Sequence, residues 1–399
     1  MSSIFEGFLS TPEVQQAFDE HAFVGAMLRF ESALARAQAQ CGLIPEQSAL
    51  SIVGTCKVEL FDVAKIVRDS ARSGSLAIPL VASLRETVAL FNPLAAAHVH
   101  LGCTSQDAID TAMALVSRDA LALIRSDMQL SIDALCALAR RYADTPILAR
   151  TLSQPASVTS FGFKCVGWLA PLVRSRERLE IAAARALQLQ LGATVGTLAS
   201  MNGQGTRVIE LMALDLVLGR PTASWHNQRD EWVALGCELG LLVGSLGKIA
   251  KDLMLMGQFE VGELAEPVEP GRGGPANMPH KHNPVGSMIA LAAAQRAPQR
   301  VAVLLGAMPQ DHERALGAWQ AELAEWPLLM MSAHGSVRAM ASVLPRLQVF
   351  PERMRANLDA MRATLGKAAA DEWFDPALAL RAGILARQQL DTLAPMQDK

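Results

Sequence analysis

Glu231-Trp-Val-Ala-Leu-Gly-Cys-Glu-Leu-Gly-Leu-Leu-Val-Gly-Ser-Leu-Gly-Lys-Ile-Ala-Lys-Asp-Leu-Met-Leu-Met256 decides the fold class. Trp232, Leu235, Leu239, Leu242, Val243, Leu246, Ile249, Leu253 and Met256 recur at steps of mostly three and four, the spacing that turns one face of a helix toward a core. Gly236, Gly240 and Gly244 lie four apart on it. Each glycine costs a helix about 1 kcal/mol relative to alanine, so their presence predicts neighbouring helices that approach closely. A membrane span does not fit, because Glu238 and Lys248 interrupt the apolar run. Outward from this segment helical periodicity dominates and strand-like alternation is scarce, so the chain reads as all-α, a soluble bundle of long helices.

Gly271-Arg-Gly-Gly-Pro-Ala-Asn-Met-Pro-His-Lys-His-Asn-Pro284 follows that helix. From Leu264 to Pro284 five prolines (Pro267, Pro270, Pro275, Pro279, Pro284) and three glycines (Gly271, Gly273, Gly274) exclude regular structure and leave hinges. A long basic loop between two helices is rarely kept in a compact domain without a use, and a lid over an anionic ligand fits it. Asn283-Pro284 suits the start of a second long helix through Met288, Ile289 and Leu291 that Pro298 kinks or interrupts. A third runs from about Asp107 through Met113, Val116, Leu121 and Ile124. Thr104-Ser-Gln-Asp107 before it is close to a capping box, and such a helix start can hold an anion. Helices around 18–41 and 60–90 form a separate N-terminal unit, and Pro345 and Pro351 bracket another break. Three helical regions result: 1–106, a central bundle 107–345, and a short 346–399.

A chain of 399 residues, 51% hydrophobic, buries a sizeable core. Its net charge of -3 offers no global attraction to nucleic acid or to an anionic membrane, so anion binding must come from local clusters. The six cysteines form no CxxC pair and sit mostly among apolar neighbours, which points to buried thiols in a reducing cytoplasm with no zinc site. The N-terminus lacks a basic stretch followed by an apolar run, so no secretory signal is expected.

Four polar constellations remain. His100-Leu-Gly-Cys-Thr104-Ser105-Gln106-Asp107 is accounted for locally by helix capping. Arg150-Thr151-Leu152-Ser153-Gln154 is a polar turn. Ser224-Trp-His226-Asn-Gln-Arg229-Asp230 crowds cations before the glycine-bearing helix, which capping by Asn227 or Asp230 explains only in part. Met308-Pro-Gln-Asp-His-Glu-Arg314 reads alone as a surface charge run.

Together these strings fall in the order of the conserved regions of the fumarase/aspartase superfamily. The Met278–Pro284 string resembles its Gly-Ser-Ser-x-Met-Pro-x-Lys-x-Asn-Pro loop signature. HLGCTSQDAIDT (100–111), GATVGTLAS (192–200), SWHNQRD (224–230), GSLGKIAKD (244–252) and AMPQDHER (307–314) resemble more closely the 3-carboxy-cis,cis-muconate cycloisomerase branch. The likeness runs to about Leu365, beyond which Trp373-Phe-Asp-Pro376 resembles a shortened terminal segment. The resemblance implies three helical domains, a homotetramer with a twenty-helix core and active sites shared between subunits, and no metal or organic cofactor. It implies lactonisation of a small tricarboxylate, with neither nucleic acid nor membrane as partner.

Three substrate carboxylates call for several cations and oriented donors. Arg150, His226, Arg229, Lys281, His282 and Arg314 supply the first; Thr104, Ser105 and Gln154 supply the second, with Asn283 beside them on the loop. The loop serine of the superfamily is replaced by Pro275, with Ala276 after it, and the histidine after its Arg-Thr pair by Leu152. Lactonisation tolerates that loss, because the nucleophile is an ionised carboxylate and only a carbanion-like centre needs a proton. His282, His280 and His100 are the candidate acids. A lysine, whose reference pKa is about 10.4, is a reluctant proton donor, so Lys281 suits an electrostatic clamp. A 3-sulfomuconate substrate, another lyase activity of the superfamily, and a non-catalytic relic of the fold are the alternative readings.

Overall fold

The structure, a computed structural model, describes residues 4–269, 271–274, 278 and 281–393. His280, Pro275 and Ala276 lie outside the described residues. The principal elements are helix α1 (Glu20–Gln40), helix α2 (Ser105–Arg141), a hairpin of β1 (Pro146–Thr151) and β2 (Gln154–Ser160), and helices α3 (Phe161–Ala186) and α4 (Asp230–Met256). Strand β3 (Leu264–Ala265), helices α5 (Val285–Gly306) and α6 (Ala318–Val343), strand β4 (Gln348–Val349), and helices α7 (Pro351–Ala363) and α8 (Leu378–Leu393) follow. The two strand pairs are antiparallel.

Helices α2 to α6 form the bundle, and their directions follow from paired side chains. Arg125 meets Glu180 and Gln129 meets Arg176, so α3 runs back along α2. Trp168 donates to Asp252 at 2.8 Å and Arg178 to Glu238 at 2.7 Å, so α4 returns along α3. On α6, Trp326 donates to Ser117 and His334 bonds Asp127, so α6 runs parallel to α2. The starts of α2, α4 and α6 therefore share one end of the bundle, called here the near end. The ends of these helices, with the β1–β2 hairpin, mark the far end. The 27 residues of α4 put these ends about 40 Å apart.

The glycine expectation holds in part. Cβ atoms at Gly236 and Gly240 would stand 2.7 Å from Leu304 and 2.9 Å from Val301, so α5 does press against α4 there. Gly244, however, faces open space, and the third close approach is at Gly247, where a Cβ would meet that of Ala294 at 2.5 Å. Leu235, Leu239, Leu242, Val243 and Leu246 are fully buried in the chain's own core, the position of a bundle helix.

Three local expectations need correction. The helix placed from Asp107 begins two residues earlier, at Ser105, with Thr104 as its N-cap. The helix expected over 60–90 is two, Val63–Ser73 and Ala77–Phe91, because Gly74 takes the left-handed conformation (φ 71°) that ends the first. Pro298 does not interrupt α5, which continues to Gly306. Packing along α4 and α6 holds the helix through the lost hydrogen bond, and Pro171 and Pro327 are likewise carried inside α3 and α6.

Replacing Gly247 by leucine drives a side chain into Ala294 and costs about 1–3 kcal/mol. Thermal unfolding followed by circular dichroism should show a melting temperature several degrees lower. An unchanged melting temperature would mean that α4 and α5 are not in contact there.

Candidate active site

At the near end one carboxylate gathers four donors from three segments. Asp107, with no exposed surface, accepts from the Thr104 N–H (3.0 Å) and Ala193 N–H (3.0 Å) through Oδ2, and from the Gly192 N–H (2.9 Å) and His226 Nε2 (2.7 Å) through Oδ1. The anion expected at the start of α2 is thus built in as the acidic half of a capping box. A carboxylate only accepts, so His226 donates through Nε2–H, and its Nδ1 lies 3.0 Å from the Ser224 hydroxyl. His226 is 2% exposed and holds Asp107, at a position where the sequence suggested a substrate cation.

Arg229 is engaged within the protein as well. Its guanidinium is buried between Asp110, at 2.9 Å, and Glu322, and lies 4.6 Å from the centre of the Trp225 ring. Trp319 donates to the same Asp110 at 2.9 Å. Burial works against its charge, but the two carboxylates overcome this and raise its pKa, so this cation is engaged inside the protein. Arg314 differs: it donates to the Thr104 hydroxyl, while its Nε has no partner among the described residues. Thr104 and Ser105 are half-buried beside it. His100 sits just ahead with a left-handed backbone (φ 59°), its Nδ1 2.5 Å from Glu31 of α1.

At the far end the hairpin turns through Leu152 and Ser153, both at positive φ (50° and 64°) as two-residue hairpins require. Leu152 is 98% exposed at the tip with Gln154 next to it. Arg150 makes a bidentate pair with the fully buried Glu263 (2.8 and 3.1 Å), to which Asn357 also donates. Arg150 thus ties the hairpin to the segment after α4, a role the sequence did not suggest. Glu266 caps α5, accepting from the N–H groups of Gly286 (2.9 Å) and Ser287 (2.7 Å). Lys281, His282 and Asn283 are exposed, and no helix or strand forms over the described residues between Glu266 and Pro284, as expected for the loop. Asn283 N–H donates to the Gly273 carbonyl at 3.0 Å, and a Cβ at Gly273 would lie 2.5 Å from the Asn283 carbonyl oxygen, so glycine is required there. A cavity of about 510 Å³ opens beside the loop, lined by Glu266, Arg272, His282, Asn283, Leu253 and Phe350.

The candidate residues therefore fall into two groups. His100, Thr104, Ser105, His226, Arg229 and Arg314 gather at the near end; Arg150, Gln154, Lys281, His282 and Asn283 gather at the far end. Glu31, Glu263, Glu266 and Arg272 were missed. Glu31 and Glu263 are single charged residues without a motif, Glu266 and Arg272 lie in the loop stretch without a role assigned to them, and only the fold shows what each meets. Among the described residues Glu31, His100 and Cys103 put one oxygen, one nitrogen and one sulfur within 4.8 Å of one another. A metal there would need a thiolate, whereas burial and the nearby Glu31 push the Cys103 thiol well above its ordinary range.

Residues 9–298 match the model of the lyase family. The 3-carboxy-cis,cis-muconate cycloisomerase of Pseudomonas aeruginosa is 42% identical over 357 residues, 90% of this chain and 78% of the relative. The nitrosuccinate lyase of Streptomyces davaonensis is 40% identical over 354 residues, 87% of this chain and 74% of the relative. The crystal structure of the 3-carboxy-cis,cis-muconate lactonizing enzyme from Pseudomonas putida is similar with a TM-score of 0.91 at 34% identity, covering 99% of this chain and 100% of that one. The chain belongs to this lyase family, the fumarase/aspartase superfamily, and shares its all-helical fold.

If Arg229 is structural, Arg229→Met leaves Asp110 and Glu322 facing each other without a cation and costs about 3–5 kcal/mol. Denaturant unfolding should show that loss. A variant of normal stability with only a raised KM would return Arg229 to the substrate.

Proposed function

We propose that this protein is a cycloisomerase that adds a carboxylate of 3-carboxy-cis,cis-muconate across a C=C bond to give 4-carboxymuconolactone, in the catabolism of aromatic compounds. The observation that carries this over an elimination is Leu152. At the tip of the turn after Arg150-Thr151, where the superfamily resemblance puts a histidine, this chain presents an apolar side chain 98% exposed. An elimination needs a base to remove a carbon-bound proton, whereas an ionised carboxylate attacks without one. The reaction then needs cations for three carboxylates, donors to orient them, and one acid. Arg314 with Thr104 and Ser105, and Lys281 with Asn283 and Gln154, are the binding groups in this reading; His100, His280 and His282 are the candidate acids. Lys281 stabilises the enolate-like charge as the C–O bond forms. Ultraviolet assay with 3-carboxymuconate, 3-sulfomuconate and nitrosuccinate side by side tests the reading. It expects turnover of the first, and turnover of nitrosuccinate alone would overturn it.

The same reading makes the protein a cytoplasmic homotetramer with shared sites and no cofactor, built of regions 1–106, 107–345 and 346–399. Its support is geometric. The near-end and far-end groups are about 40 Å apart along α4, too far for one small substrate to touch both within one chain. A second copy running the other way would bring its Lys281 loop, acting as a lid, to the first copy's Thr104. The open groove beside Gly244, lined by Trp168, Pro171 and Leu241, offers a face for another copy's helix. The six cysteines, no two of them in a CxxC pair, suit a reducing compartment.

Two outcomes follow. Lys281→Met should lower kcat by about 10²–10³-fold, the value of one preorganised charge of about 3–4 kcal/mol, with an unchanged melting temperature. Near-normal turnover would leave Lys281 a solvated loop lysine. Mixing Lys281→Met with Arg314→Ala, each inactive alone, should restore up to about a quarter of wild-type activity if a site draws on two chains. No recovery in verified mixed oligomers, or a monomeric mass by light scattering, would refute shared sites.

A further inference from the structure

Glu31 is a carboxylate on the buried face of α1. Phe30, Ala33 and Leu34 on α1 are all buried, and the Glu31 side chain is itself only 2% exposed. Buried carboxylates are kept where something pairs with them. Here one oxygen, Oε1, meets His100 Nδ1 at 2.5 Å, and the other, Oε2, has no partner among the described residues. The histidine is held at φ 59°, a backbone region that side chains other than glycine rarely occupy and that clusters at functional sites. Its ring is 12% exposed, and Nδ1 is the ring nitrogen with a hydrogen-bond partner among the described residues. The strained backbone and the buried acid fix the ring from one side and leave its other nitrogen without a protein partner.

The charged and titratable groups around that ring come from three directions. Glu31 faces it from α1, Asp107 from the first turn of α2, and Cys103 from the intervening loop. Arg85, whose guanidinium donates to the Val99 carbonyl at 3.2 Å, is the nearby cation that works against a charged ring. Burial opposes a charged ring, but Glu31 foremost and Asp107 after it outweigh burial and Arg85, so the pKa of His100 is raised. Cys103 stays a thiol and adds no charge.

We propose that Glu31 is a positioning residue for the reaction at the near end: it grips Nδ1–H of His100, keeps the ring as an imidazolium, and leaves Nε2–H to meet the substrate beside the start of α2. This rests on the cycloisomerase reading and selects His100 from its three candidate acids. A substrate carboxylate oxygen forms the C–O bond, and the electron pair of the C=C bond moves to the adjacent carbon. That carbon takes the proton from Nε2. His100 is left neutral with Nδ1–H still on Glu31, and solvent returns the proton.

Glu31→Gln keeps the shape and removes the charge. Exchange of the histidine C2 hydrogen, followed by mass spectrometry across pH on the assembled enzyme, reads the His100 titration without any substrate. In the wild type its midpoint should lie above the ordinary value of about 6.5. In Glu31→Gln it should fall by about one unit or more, and Glu31→Asp should recover part of the shift. The turnover number of Glu31→Gln should fall about tenfold at neutral pH with KM little changed, and the pH above which kcat declines should move down together with the midpoint. An unshifted midpoint in Glu31→Gln would overturn the proposal. So would stoichiometric metal on Glu31, His100 and Cys103 in the purified enzyme. Should Glu31→Gln fail to fold, a wild-type midpoint at or below the ordinary value would overturn it equally. A wild type that shows the shift but does not turn over 3-carboxymuconate would refute the cycloisomerase reading and not the pairing of Glu31 with His100.

Discussion

A buried carboxylate with four donors is the constraint on which the near end depends. Asp107 has no exposed surface, and stripping an anion of water is tolerable only when its lone pairs are matched. Here they are matched by groups from the Thr104 cap, the 192–193 turn and His226. Loss of any one donor leaves the charge underpaired, so these three segments are held in register. Gln106 adds a cross-link, donating to the His226 carbonyl and to Asp110. Thr104 and Arg314 are positioned by this lattice before any ligand arrives, which is the preorganisation that charge stabilisation requires.

Below that lattice a second buried charge system ties the same three parallel helices together. Asp110 of α2, Arg229 at the start of α4 and Glu322 of α6 are closed off by Trp225 and Trp319. The far end is built differently: a hairpin and a loop are held by Arg150 on Glu263 and by Glu266 on the start of α5. Its cationic loop residues are left exposed, in contrast to the engaged cations at the near end. The near end pairs Asp107, Asp110, Arg229 and Glu322 within the protein; the far end carries Lys281 and His282 exposed on a segment without helix or strand.

The α4 periodicity and the capping signal at Thr104 made the bundle legible, because burial of a helix face and satisfaction of helix-start N–H groups are local demands written at fixed spacing. The proline at 298 misled, since the cost of a helix-interior proline is local but the packing that absorbs it is not. At the site, residue type was legible and availability was not. His226 and Arg229 have the chemistry of anion ligands, and only their distant neighbours Asp107, Asp110 and Glu322 show that this capacity is already used. Glu31 and Glu263 were invisible for the complementary reason: one acid among apolar residues has no pattern of its own.

The separation of those partners along the chain sets when the near end can form. Arg229 must meet Asp110 across 119 residues and Glu322 across 93. Closing loops of that size carries an entropy cost that nearby contacts do not offset, so such pairings come late in folding. On a ribosome α2 and α3 can pair as soon as both have emerged, but Arg229 has only one of its two carboxylates until α6 has been synthesised. A nascent chain arrested before α6 would hold a charged, half-built end, a natural point of recognition for chaperones and proteases.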